Sequence, residues 1–244
     1  MSKVTRSVKS LVLRFLYGHL RITLFLWIRA LQVFNRLHQP LHKHEIKSGI
    51  RGTSGAGDGT KILCEAILPY ISKGSNVLDI GSNSGYFTRE IGKLGVNVLG
   101  IEPDPLLYKV SLAQEMLEPK STVSFRNDVF DLDFNSTNQY DTVLCLSVFQ
   151  QWAERFGFED AKEILRKTFM VAHHQVFFSL PNTIQNRKIL KWLPDMGKTL
   201  DESKLWIENL LREVSDGCQI EYIGIHPSDF RPDDYRQCFR IIKA

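Results

Sequence analysis

Asp79, Gly81, Gly85 and Glu102 are residues of the right type and spacing to hold a nucleoside. Asp79 lies in the short apolar run Asn76-Val77-Leu78-Asp79-Ile80, and the loop Gly81-Ser82-Asn83-Ser84-Gly85 follows it. Tyr86-Phe87 then opens a helical pattern. Such a loop lets backbone pass close to a ligand, and the helix start turns N–H groups toward it. Glu102 ends a second apolar run about twenty residues on, where a carboxylate accepts hydrogen bonds from both ribose hydroxyls. Gly81 and Gly85 are four apart, which departs from the G-x-G-x-x-G of dinucleotide sites. The glycine-rich stretch 52–57 has no following Gly-Lys-Ser/Thr, so it does not read as a P-loop.

These residues need strands that end on one edge and helices that carry the chain back. The patterning predicts helices over 58–71, 86–94, 105–116, 160–171 and 200–214. Strands are expected at 76–80, 96–102, 122–125, 141–147 and 175–180, the last stopped by Pro181. Residues 147–152 then follow the fourth strand at the carboxyl edge, where ligands bind in open α/β sheets, and the plain alternative for Gln150-Gln151 is a polar loop. The alternation specifies an α/β, doubly wound, mostly parallel sheet. Two final strands, 220–225 and 237–242, have no long helix between them and suit an antiparallel C-terminal edge hairpin.

Ahead of this domain (58–244) come a basic arm (1–37) and a linker or mobile loop (38–57). Up to Arg51 the chain carries ten Lys/Arg against one acid, Glu45. On a helical wheel Lys3, Arg14, Arg21, Arg29 and Arg36 share one stripe, and Leu13, Leu16, Leu20, Trp27, Leu31 and Phe34 lie opposite. This amphipathic pattern over residues 3–36 suits an anionic membrane surface, since Arg21 would cost about 2.5–3.5 kcal/mol at mid-bilayer. Packing on the main domain or a partner, and an organelle transit peptide, are the other readings. The four cysteines show no metal-type spacing, and the expectation is a reducing, cytoplasmic setting, peripheral on a membrane, with no metal site. His173-His174 reads as the cationic end of a helix.

The stretches Val77 to Phe87 and Gly100-Ile101-Glu102-Pro103-Asp104 together resemble class I S-adenosylmethionine-dependent methyltransferases. The resemblance implies a Rossmann-like fold and S-adenosyl-L-methionine as cofactor. It places Asp79 near the methionine amino group, with Gly81, Ser82, Asn83, Gly85 and Tyr86 lining the methionine moiety. Glu102 would hold the ribose, Asn127, Asp128 and Val129 the adenine, and Ser147 would close the site after the fourth strand.

The segment Leu146-Ser147-Val148-Phe149-Gln150-Gln151, with Phe156-Gly157 and Ala161 to Leu165, is similar to the methyltransferase module of bacterial O-antigen chain-terminating enzymes. Those enzymes carry two histidines where this chain has Gln150 and Gln151, and glutamine is no general base near neutral pH. Gln150, Gln151 and Arg187, with Lys188 nearby, suit an acceptor that is already anionic or strongly hydrogen-bonding. The expected function is a membrane-surface O-methyltransferase acting on a saccharide or phosphorylated, lipid-linked glycan. An RNA 5′-phosphate methyltransferase, with nucleic acid on the basic arm, is the alternative. A non-catalytic methyltransferase-like binding subunit is another, and an NAD-dependent oxidoreductase is more distant.

Overall fold

Seven strands pair in the order β3-β2-β1-β4-β5-β7-β6. The computed structural model describes residues 59–117, 122–135, 139–182, 191–227 and 235–243. The basic arm, the linker, Arg187 and Lys188 lie outside the described residues. Strands β1 (Asn76–Ile80), β2 (Asn97–Ile101), β3 (Val123–Arg126), β4 (Tyr140–Leu146) and β5 (Ala172–Asn182) run parallel. Strands β6 (Gln219–Pro227) and β7 (Tyr235–Ile242) are antiparallel and complete the sheet, as the sequence predicts.

The helices are α1 (Gly59–Ile67, continued by a 3-10 turn, Leu68–Tyr70), α2 (Tyr86–Gly92) and α3 (Pro105–Leu117). Then come α4 (Phe149–Phe156), α5 (Phe158–Val171) and α6 (Leu200–Val214). Thr199 and Glu202 start α6 with a reciprocal capping box, which satisfies two backbone donors at its first turn.

Two predicted features change. Residues 149–156 form a helix, not a polar loop: Phe149, Trp152, Ala153 and Phe156 recur at helical spacing and dock in the core. Strand β5 also runs on through Pro181. Beyond Ser179 it has lost β4 and pairs only with β7, so the missing proline N–H falls where one side of the strand is open.

Alternation along the strands sorts the core onto two faces. Val143, Cys145, Val176 and Phe178 pack with α4, α5 and α6, whereas Leu144 and Phe177 pack with Leu63 and Ile67 of α1 and Ile91 of α2. Burial pushes the Cys64 and Cys238 thiols up to about 12, so they act as packing residues. Among the described residues no helix is long and apolar enough to cross a membrane.

Candidate active site

Sheet and helices leave a cleft of about 170 Å³ at the carboxyl ends of β1 and β2. Two larger hollows, of about 400 and 560 Å³, open at the amino ends of the strands. Size does not decide between them, because ligands of open parallel sheets sit outside the carboxyl ends. The smaller cleft has the chemistry.

One half of it is built from the β1–α2 loop. Gly81 has φ 68°, and a Cβ there would stand 2.7 Å from Cγ2 of Val148. Gly85 has φ 84°, and its Cβ would meet the Phe125 ring at 2.6 Å. Both positions thus require glycine twice over, for conformation and for space. Asn83 shares the left-handed conformation at φ 52° and lines the cleft. Asp79 is buried beneath the loop, and its Oδ2 accepts the Thr88 hydroxyl at 2.6 Å. Ser82 and Ser84 are buried and Tyr86 starts α2.

Glu102 joins this loop to the end of β2. Its Oε2 accepts from the Asn83 N–H at 2.7 Å and its Oε1 from the Asp104 N–H at 2.8 Å. A carboxylate oxygen offers two acceptor sites, so one backbone bond on each fixes the carboxylate while staying compatible with ribose hydroxyls. Asn127 braces the turn from behind, donating from Nδ2 to the carbonyls of Glu102 at 2.7 Å and Pro103 at 3.1 Å. Asp128 turns away to pair with Arg126 at 3.0 Å and to accept the Val129 N–H at 2.9 Å. Of the predicted trio 127–129, only Val129 lines the cleft, where Ile101, Leu107 and Phe130 add an apolar wall suited to a flat heterocycle.

The facing half is α4. Ser147, at φ 58°, turns the chain from β4 into this helix and donates its N–H to the Ser179 carbonyl at 2.9 Å. Gln150 is buried, and its Nε2 donates back to the Ser147 carbonyl at 2.6 Å. Gln151 is exposed and lines the cleft, together with Trp152, Arg155 and Phe156. Both glutamine amides reach the Ser147 carbonyl, Gln151 Nε2 at 3.5 Å, but the two differ in depth: Gln150 is buried against the turn and Gln151 stands exposed at the cleft. Arg155, absent from the sequence reading, supplies an exposed guanidinium 5.1 Å above the Phe156 ring. The helical spacing of 149–156 was the signal that would have found it.

The cradle fits a methionine-nucleoside. Glycine backbone allows close approach, Glu102 suits a ribose, and the apolar wall suits an adenine. Residues 78–175 match the model of a methyltransferase-domain family. No protein of curated function matches the sequence significantly. Among solved structures, the bifunctional kinase-methyltransferase WbdD superposes with TM-score 0.57 at 19% identity, covering 75% of this chain and 38% of that one. The chain thus spans little more than a third of that protein. Magnesium protoporphyrin IX methyltransferase from Synechocystis PCC 6803, with bound SAM, superposes with TM-score 0.56 at 18% identity over 76% of this chain and 80% of that one. Its complex with SAH gives TM-score 0.58 at 17% identity over 76% and 84%.

Proposed function

We propose that this chain, whose residues 78–175 match a methyltransferase-domain family, is an S-adenosylmethionine-dependent O-methyltransferase whose acceptor is a saccharide or phosphorylated glycan at a membrane surface. S-adenosylmethionine, when bound, would supply an electrophilic sulfonium methyl group for transfer to an acceptor oxygen. Glu102 and the 81–85 loop orient the donor, and positioning of this kind supplies a large share of the rate enhancement.

One observation carries the acceptor class. The wall opposite Glu102 presents the Gln151 amide and the Arg155 guanidinium on adjacent turns of α4. Both hold oxygen without taking its proton. A phosphate oxygen is already ionised and needs only such donors. A guanidinium binds it in a charge-assisted manner, about twice as strongly as a neutral partner would. The resemblance of residues 146–165 to glycan chain-terminating enzymes supports the same class. The basic, apolar arm supports a membrane surface, each arginine near anionic lipid contributing about 1 kcal/mol.

Methyl-labelled S-adenosylmethionine, incubated with full-length protein and an extract fractionated into lipid, glycan and RNA, tests the acceptor. Label is expected in glycan or glycolipid. Label confined to RNA would overturn this class, and no label together with no donor binding would remove the enzyme reading. Sedimentation with anionic liposomes at low salt tests the arm, which must carry the protein into the pellet.

A further inference from the structure

At the opposite edge of the sheet the donor groups of Asp141, His173 and His174 converge, outside anything the methyl-transfer site uses. Their convergence has a backbone cause. Tyr140 pairs with Ala172 and Thr142 with Gln175, so Asp141 alone faces both histidines across a bulge in β5. Successive side chains of a regular strand point to opposite faces. The extra residue breaks that alternation and re-aims one ring. The two imidazoles consequently lie on the same side, with centroids 4.1 Å apart.

Asp141 is already held in place. Its Oδ2 accepts the Asn76 N–H at 2.7 Å, which turns Oδ1 toward the rings. Oδ1 lies 3.8 Å from His173 Nδ1 and 3.5 Å from His174 Nε2. All three donor atoms fall within 4.8 Å of one another. The nearby Lys243 ammonium is engaged elsewhere, donating to the carbonyls of Phe169 at 3.0 Å and Ala172 at 2.8 Å.

We propose that Asp141, His173 and His174 bind a divalent cation of the zinc class. In a tetrahedral zinc site with bonds of about 2.0–2.1 Å, neighbouring donors stand about 3.3 Å apart. The two Asp141–histidine separations exceed that value by about 0.2 and 0.5 Å, the third donor pair lies within 4.8 Å, and both rings are exposed. Two imidazoles and a carboxylate are a zinc donor set, and three protein ligands leave a fourth position for water. The backbone bond from Asn76 plays the orienting part that outer partners play in such sites. The hollow beside Asp141 and His174 gives the fourth position access to solvent. A bound ion would tie the starts of β1, β4 and β5 together, so its effect is on stability rather than methyl transfer.

Calorimetric titration of metal-free, full-length protein with ZnCl2 tests this, using wild type, the double variant His173→Ala/His174→Ala, and Asp141→Asn. The other histidines (His19, His38, His42, His44 and His226) contribute equally to all three, so the difference isolates the site. Wild type is expected to bind one more Zn2+ per chain than the double variant. Asp141→Asn keeps an oxygen for the Asn76 N–H but loses the charge, and its affinity should fall at least tenfold. At about 100 times the wild-type Kd, Zn2+ should raise the wild-type thermal midpoint by about 5–10 °C, reversibly with EDTA, move Asp141→Asn by no more than about half as much, and leave the double variant unmoved. In EDTA the three proteins should melt together, which shows that the variants fold. An ion pair alone would give identical Zn2+ stoichiometry and affinity in wild type and double variant, and that result overturns the site.

Discussion

The two halves of the proposed methyl-transfer cleft are made of different material. The donor half is backbone and short side chains: two glycines in left-handed conformation, a buried Asp79, and a Glu102 carboxylate held by two backbone N–H groups. The acceptor half is long side chains, Gln151 and Arg155, standing on an eight-residue helix. A wall of backbone admits almost no substitution, whereas a wall of side chains changes with each residue. The donor half should thus fail by distortion and the acceptor half by lost contacts.

Four substitutions sharpen that contrast, from the most to the least severe. Gly85→Ala adds a Cβ 2.6 Å from Phe125 at φ 84°, where strain and overpacking each cost about 1–3 kcal/mol. A thermal midpoint about 6–12 °C lower, with donor binding lost alongside, is expected by calorimetry. Glu102→Gln keeps the shape but removes the charge assistance from the ribose bonds, worth about 1.5–3 kcal/mol in all, so the Kd for S-adenosylmethionine should rise about 10–100-fold. An unchanged Kd there would take the ribose role from Glu102.

Arg155→Ala should leave donor Kd within about twofold and raise acceptor KM about tenfold, the pattern of lost uniform binding. If donor Kd shifts instead, the division between the halves is wrong. Gln151→Ala is the mildest, because a neutral hydrogen bond contributes about 0.5–1.5 kcal/mol, and acceptor KM should rise only about three- to tenfold. Steady-state kinetics with the acceptor fraction measures both.

The same contrast explains what was legible in the sequence. Glycine at Gly81 and Gly85 is demanded locally, by φ and by a neighbour, so the spacing survives as a readable motif. Strand limits fell within a residue or two of expectation for β1 to β4: β1, β2 and β4 are mostly apolar and buried, and the half-exposed β3 is closed by Arg126-Asn127-Asp128. Helix α4 was hidden by its own brevity and by Gln150-Gln151, although Phe149, Trp152, Ala153 and Phe156 kept the helical period. Which glutamine faces the cleft depends on where β4 ends and how Ser147 turns, neither of which a linear pattern records. His173 and His174 looked like a helix end; α5 stops at Val171 and the bulge that gathers them with Asp141 is a property of pairing. Asp128 illustrates the remaining gap: the Arg126 partner that draws it aside was not visible.

Ser147 has a further consequence. A serine at φ 58° is held only by what surrounds it, here the Ser179 carbonyl on one side and the Gln150 amide on the other. It forms the turn between the sheet and a short helix. A change of one dihedral, or of the amide that clamps it, would swing α4 while Gly85 and Glu102 stay on their own strands. Such a chain can exchange one methyl acceptor for another over generations without rebuilding the part that binds the methyl donor. Proteins with the same glycine spacing can accordingly be expected to share a donor while differing in what they methylate.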